Sequence, residues 1–247
     1  MWLLAAAFAV GVAIGCVGIG GILLIPALSA LAGLTIHAAM ATALFTFLFT
    51  GIAGTWAFQR RGTIDWRLAR PVLAAAALCA FAGAWVNSLL DARLLGAILA
   101  AVIVFAGVYA LLTRHDGRAP AFSDRAGAQR ALLLGLGATS GFGSGLTGVG
   151  GPALSVPLMV LSGFPALTSI AVSQPLQIVA AAAGTLAHLR FGSIDFALAA
   201  PVTALEIAGA LLGARLAHAI DVRVLRRIVA GLCLVVGGVL MTRALTG

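Results

Sequence analysis

The stretch Gly15-Cys16-Val17-Gly18-Ile19-Gly20-Gly21 returns 130 positions later as Gly145-Leu146-Thr147-Gly148-Val149-Gly150-Gly151. The same offset relates Gly62-Thr63-Ile64-Asp65 to Gly192-Ser193-Ile194-Asp195, Pro71 to Pro201, Asp91 to Asp221 and Arg93 to Arg223. Pro26 matches Pro157 at an offset of 131, a slip of one residue. Matches in series at one spacing mark a duplicated unit. Each copy reads as five apolar segments: 2–17, 21–33, 36–58, 67–89 and 92–113, then 130–147, 151–163, 166–189, 196–218 and 222–245. The first two segments of each copy are short and meet at the Gly-rich motif. The other three have the ~20 residues that cross a hydrocarbon core of about 30 Å. Residues 114–129, with Arg114, Asp116, Arg118, Pro120, Asp124 and Arg125, are expected to form a cytoplasmic linker. It would join a first transmembrane repeat at 1–113 to a second at 130–247.

Composition sets the solvent. Of 247 residues, 62% are hydrophobic and 9% charged, and the mean hydropathy is +1.14. Soluble domains are about half apolar and about a quarter charged. A soluble globular protein, a disordered chain and a nucleic-acid binder are thereby excluded. The net charge of +8 comes from 15 basic residues, all arginine, against six Asp and one Glu. Arginine at a helix centre costs ~2.5–3.5 kcal/mol on insertion scales, so these residues belong in loops beside anionic lipid. The expectation is an all-α polytopic protein of the cytoplasmic membrane, with the lipid bilayer as its partner. Cys16, Cys79 and Cys233 lie in apolar runs without paired spacing and read as small core residues rather than a disulfide or zinc framework. The N-terminal run lacks a basic leader region and ends in the repeated motif, so it is read as structure.

Arginine placement bears on how the copies are related. If each short pair makes two passes, each copy has five and the second is inverted. Arg60, Arg61, Arg67, Arg70, Arg114, Arg118, Arg125, Arg130, Arg215, Arg223, Arg226 and Arg227 then share one side, against Arg93, Arg190 and Arg243, a split of 12 to 3. Counting each pair as one pass makes the copies parallel and the split 10 to 5. Because cytoplasmic loops carry the arginine excess, inverted repeats are expected, with both termini outside.

Non-helical backbone cannot face lipid, since each unpaired polar group costs several kcal/mol there. The Gly-rich breaks are therefore expected against protein or a watery cavity, each followed by a short helix starting near Ile22 and Pro152. Such starts offer free N–H groups and a partial positive charge, which suit an anion. Two of them related by a pseudo-twofold axis would converge near the midplane, as in many secondary transporters. The plainer alternative is that the glycines only let helices pack closely. The duplication favours the first reading, and makes Gly18, Gly20, Gly21, Ile22, Thr147, Gly148, Gly150 and Gly151 candidate substrate-binding residues.

Gly18-Ile19-Gly20-Gly21 followed by Pro26, Gly148-Val149-Gly150-Gly151 followed by Pro157, and the Gly-x-Ile-Asp loops resemble the sulfite exporter TauE/SafE family of permeases. The resemblance covers essentially the whole chain. It implies a membrane transporter for sulfite or an organosulfonate.

Polar residues within the spans supply further candidates. Thr42, Thr46 and Thr50 recur every four residues and share a helix face. Thr42 aligns with Ser173 and Thr46 with Gln177 at an offset of 131, and Thr55 with Thr185 at 130. Thr42, Thr46, Ser173 and Gln177 are candidate ligands completing an oxyanion site, or else hydrogen bonds between helices worth well under ~2 kcal/mol each. Glu206, the only glutamate, falls mid-span, and intramembrane carboxylates mark ion or proton pathways. A proton-coupling role is expected of it; a permanently protonated Glu206 bonded to a neighbouring helix is the alternative. Its counterpart is Ala76, so either role is asymmetric. Asn87 is expected to cap or anchor its helix, and Asp91 and Asp221 to be N-caps. His37, His188 and Arg190 are expected to anchor the external interface, and His115 and His218 carry no signal.

A secondary transporter is the leading class, and a passive anion channel using the same helix starts is its rival. Gly141-Phe142-Gly143-Ser144-Gly145 has the outline of a serine nucleophile, but Ser144 has Ile14 as its counterpart, so an enzyme is not expected. No metal-ligand cluster or cofactor is expected, and without lysine there is no Gly-x-x-x-x-Gly-Lys motif. Drive is expected from a proton gradient or the membrane potential. No arginine falls at a span centre, so helix termini and hydroxyls would neutralise a small anion. A homo-oligomer is left open.

Overall fold

The computed structural model describes residues 2–112, 120–191, 194–219 and 223–246. Within these the chain is helical: α1 Trp2–Val17, a 3₁₀ turn Gly20–Leu23, α2 Leu24–Ala32, α3 Ile36–Gln59, α4 Trp66–Leu89 and α5 Ala92–Leu112. The second half follows as α6 Ala126–Thr147, α7 Pro152–Leu161, α8 Ala166–Phe191, α9 Phe196–Ala219 and α10 Arg223–Thr246. The helices α3, α4, α5 and α9 and the stretch Ala166–Ala187 of α8 are long and apolar enough to cross a membrane. This is a multi-pass membrane protein. His115, Gly192 and Asp221, with the side chains of His188, Arg190, Arg223, Arg226 and Arg243, lie outside the described residues.

The short helix expected near Ile22 is present, as a 3₁₀ turn over Gly20–Leu23 that leads into α2 at Leu24. The counterpart of Ile22, Pro152, opens α7 directly, because proline presets φ for the first helical turn. Ile22 has no such constraint, and Gly20 is pressed so close to α1 that a Cβ there would overlap Ala13. Helix α6 begins at Ala126, four residues before the expected start at 130. Other ends have the expected chemistry. Asp65 accepts from the N–H groups of Arg67 and Leu68 at the start of α4, and Asp91 from that of Leu94 at 2.7 Å.

Lipid on the outside changes what the inside looks like. On α4, Ala69, Ala76, Ala80, Gly83 and Ala84 are buried, while Leu78, Phe81 and Trp85 are exposed. Apolar burial drives nothing between helices in lipid, so small residues that permit close backbone packing face inward. Gly15 lies against Ala210 and Ala214 of α9, and its counterpart Gly145 against Ala80 and Ala84 of α4. Likewise Gly213 lies against Val12 and Cys16, and its counterpart Gly83 against Phe142 and Leu146. Position numbers rise together along both seams, so α1 runs parallel to α9 and α6 to α4. By contrast, Gly54 lies against Gln174, Gly51 against Ile178 and Gly184 against Leu44, so α3 and α8 are antiparallel. Helices α5 and α10 are antiparallel too, with Gly107 near Ala230 and Cys233 and Gly237 near Ile103 and Val104. The two halves interlock, each lending helices to both seams.

Candidate functional site

Helix α3, with 24 residues, is about 36 Å long and has its middle between Phe47 and Leu48. Thr46 of α3, Gln177 of α8 and Glu206 of α9 each lie within two residues of the middle of their helix. All three are buried. Gln177 Nε2 donates to the Thr50 hydroxyl at 2.7 Å and to the Phe47 carbonyl at 3.0 Å, tying α8 to α3. The carboxyl of Glu206 lies beside Thr46. The Thr46 proton goes to its own helix, to the Ala43 carbonyl at 2.9 Å, and both Glu206 carboxyl oxygens are left without a hydrogen-bond partner.

The remaining sequence candidates divide. Thr42 accepts from the Asp195 N–H at 3.1 Å and fastens the approach to α9 onto α3. Ser173 donates to the Ile170 carbonyl at 2.7 Å, and Thr147 to that of Gly143 at 2.6 Å, both within their own helices. The two Gly-rich breaks meet beside the ring of Phe47. A Cβ on Gly21 would stand 3.0 Å from Phe47 Cζ and 3.3 Å from the Val149 carbonyl, and one on Gly150 3.1 Å from Phe47 Cδ2. Gly150 has φ +78°, and Gly18 and Gly148 match at +79° and +69°, a left-handed region that favours glycine. Gly151 lies under Leu176 and the Gln177 N–H, whereas Gly148 packs on Met40, Gly18 on Val156 and Ile170, and Gly20 on α1. Ile22 is fully buried among apolar side chains.

Several polar residues of this core are not among the candidate substrate ligands. Asn87 donates to the Leu146 carbonyl at 2.7 Å and to Met40 Sδ at 3.3 Å. It anchors α4 to the end of α6, where helix carbonyls lack an internal partner. Asn87 Oδ1, Gln174 Oε1 and the hydroxyls of Ser140, Ser144, Ser155, Thr55 and Thr185 are buried without a partner. Buried polar atoms are paired in the great majority of cases, so each of these is suited to a water or another polar partner. Ser140, Ser144 and Ser155 have the apolar counterparts Val10, Ile14 and Ile25, so the repeat gave no signal for them. His218 is bonded through Nδ1 to the Ala214 carbonyl and tilted on Phe58, and its Nε2 is likewise buried without a partner.

A family model described as Sulfite exporter TauE/SafE matches residues 3–240. The chain belongs to this family. Among TauE/SafE relatives, the "Probable membrane transporter protein YdhB" of Bacillus subtilis (strain 168) is 27% identical over 213 residues, covering 84% of this chain and 86% of the relative. The "Probable membrane transporter protein YunE" of the same organism is 25% identical over 224 residues, covering 82% and 81%. No solved structure matches. As a TauE/SafE protein, the chain is a membrane transporter and not an enzyme.

Proposed function

We propose that the protein is a secondary transporter of a small oxyanion of the sulfite or organosulfonate class, built as two inverted repeats around a mid-depth site in the cytoplasmic membrane. The observation that carries this reading is the pair of contacts at the middle of α3, Glu206 beside Thr46 and Gln177 bonded to Thr50 and the Phe47 carbonyl, with the Phe47 ring touching both glycine breaks. The antiparallel run of the equivalent helices α3 and α8, and the matched seams α1–α9 and α4–α6, support the inversion.

In this reading Thr42, Thr46, Ser173 and Gln177 supply side-chain donors, with Thr46, Ser173 and Gln177 turning from the carbonyls they bond. The backbone of Gly18, Gly20, Gly21 and Ile22, and of Thr147, Gly148, Gly150 and Gly151, frames the anion from the two breaks. The Phe47 ring lies against both breaks and would turn aside to admit an anion there. Glu206 couples proton to anion by charge. An ionised carboxylate about 4 Å from an anion repels it by on the order of 4 kcal/mol at an effective dielectric constant of 20. A proton on Glu206 removes that repulsion, so anion and proton load together.

Purified protein in proteoliposomes tests the assignment by flux of sulfite, methanesulfonate, sulfate and chloride. Saturable movement of sulfite or methanesulfonate, well above that of the other two, is expected. Unselective, non-saturating flux of all four would make it an anion channel instead. Absence of flux for all four would remove the substrate class.

A further inference from the structure

A second polar feature lies away from the mid-depth group, where α3 and α9 end side by side. These helices run in the same direction, with Thr46 beside Glu206 and Phe58 against His218. Arg60 and Arg61 follow the last residue of α3, and Arg215 lies one turn before the end of α9. With Trp56, Ala57 and Leu211 they line a cleft of about 360 Å³. The Arg60 guanidinium sits over the Trp56 ring, 4.4 Å from its centroid, and Arg61 Nη1 donates to the Ala57 carbonyl at 3.2 Å. Among the described residues no acidic side chain lines the cleft, and Asp65, the nearest to Arg60 and Arg61 in sequence, is committed to capping α4.

Three guanidiniums gathered without a carboxylate repel one another unless an anion joins them. Their planar forks match phosphate oxygens. The cleft also has an apolar wall, and Trp56 is 52% exposed beside it at the end of a span, the depth at which tryptophan and lipid headgroups meet. A free anion has no use for that wall, whereas an acyl chain does. We propose that this cleft binds the phosphodiester headgroup of an anionic phospholipid between Arg60, Arg61 and Arg215, with acyl chain lying along Trp56 and Leu211. The site bridges α3 and α9, one helix from each repeat, and does not depend on which substrate is transported.

Native mass spectrometry of the purified protein in detergent tests it directly. Phosphatidylglycerol and phosphatidylcholine of identical acyl chains are titrated separately, then phosphatidylglycerol against inorganic phosphate. Wild-type protein should retain phosphatidylglycerol over phosphatidylcholine. Each of Arg60→Gln, Arg61→Gln and Arg215→Gln should weaken it roughly fivefold, the loss expected for one arginine near an anionic surface. Arg125→Gln, outside the cleft, should leave it unchanged. Thermal midpoints of all variants check folding, and the three single variants keep the test available if a combined one fails to fold. Equal retention of phosphatidylcholine, or unchanged affinity in all three cleft variants, would overturn the proposal. Full displacement by equimolar inorganic phosphate would assign the cleft to a free anion and overturn the lipid.

Discussion

A hydroxyl in a membrane helix has a proton to place, and those of Thr46, Thr50, Ser173 and Thr147 place it on their own backbone. Gln177 differs, because its amide is shared with α3. Gln177→Leu removes both of those bonds at a cost of about 1 kcal/mol to packing, leaves the protein folded, and should raise the half-saturation of sulfite flux several-fold. Thr46→Val should act in the same direction. Unchanged half-saturation in both variants would move the site elsewhere. The matched polar positions were readable from the repeat offset, since Thr46 and Gln177 break an apolar pattern at equivalent places. Phe47 was not, because a phenylalanine in an apolar helix looks the same whether it faces lipid or a glycine break. Asn87 was legible as an anchor of its helix but its partner was not, because the Leu146 carbonyl lies 59 residues along the chain.

Helix boundaries were largely legible because glycine, aspartate caps and arginine pairs punctuate the apolar runs. Which helix packs on which was not, because inward faces of alanine and glycine carry no pairwise signature. The seams nevertheless make sharp demands. A Cβ on Gly145 would overlap the Ala80 backbone on α4, whereas one on Gly135 of the same helix meets nothing within 4 Å. Gly135→Ala should stabilise the protein by up to about 1 kcal/mol through helix propensity. Gly145→Ala should destabilise it by about 1–3 kcal/mol, since backbone cannot move aside as a side chain can. Thermal midpoints in one detergent compare the two directly, and equal shifts would contradict the α4–α6 packing. Asymmetry at the breaks has the same local origin, with Pro152 starting a helix where Ile22 leaves a 3₁₀ turn.

Across the whole molecule, the proposed inversion would place both termini on one face and the inter-repeat linker on the other. In a background with Cys16, Cys79 and Cys233 replaced by alanine, Ser123→Cys should react with an impermeant maleimide only after cells are opened. An N-terminal tag should be accessible on intact cells. Labelling of both from the same side would contradict the inversion. The central claim is that anion and proton move together past Glu206. Its most direct measurement is sulfite flux in proteoliposomes under an imposed pH gradient, wild type against Glu206→Gln. Wild-type flux should follow the gradient, rising when protons and sulfite move in the same direction, while Glu206→Gln, neutral at every pH, should carry sulfite without responding to it. Full gradient dependence retained in Glu206→Gln would contradict the account.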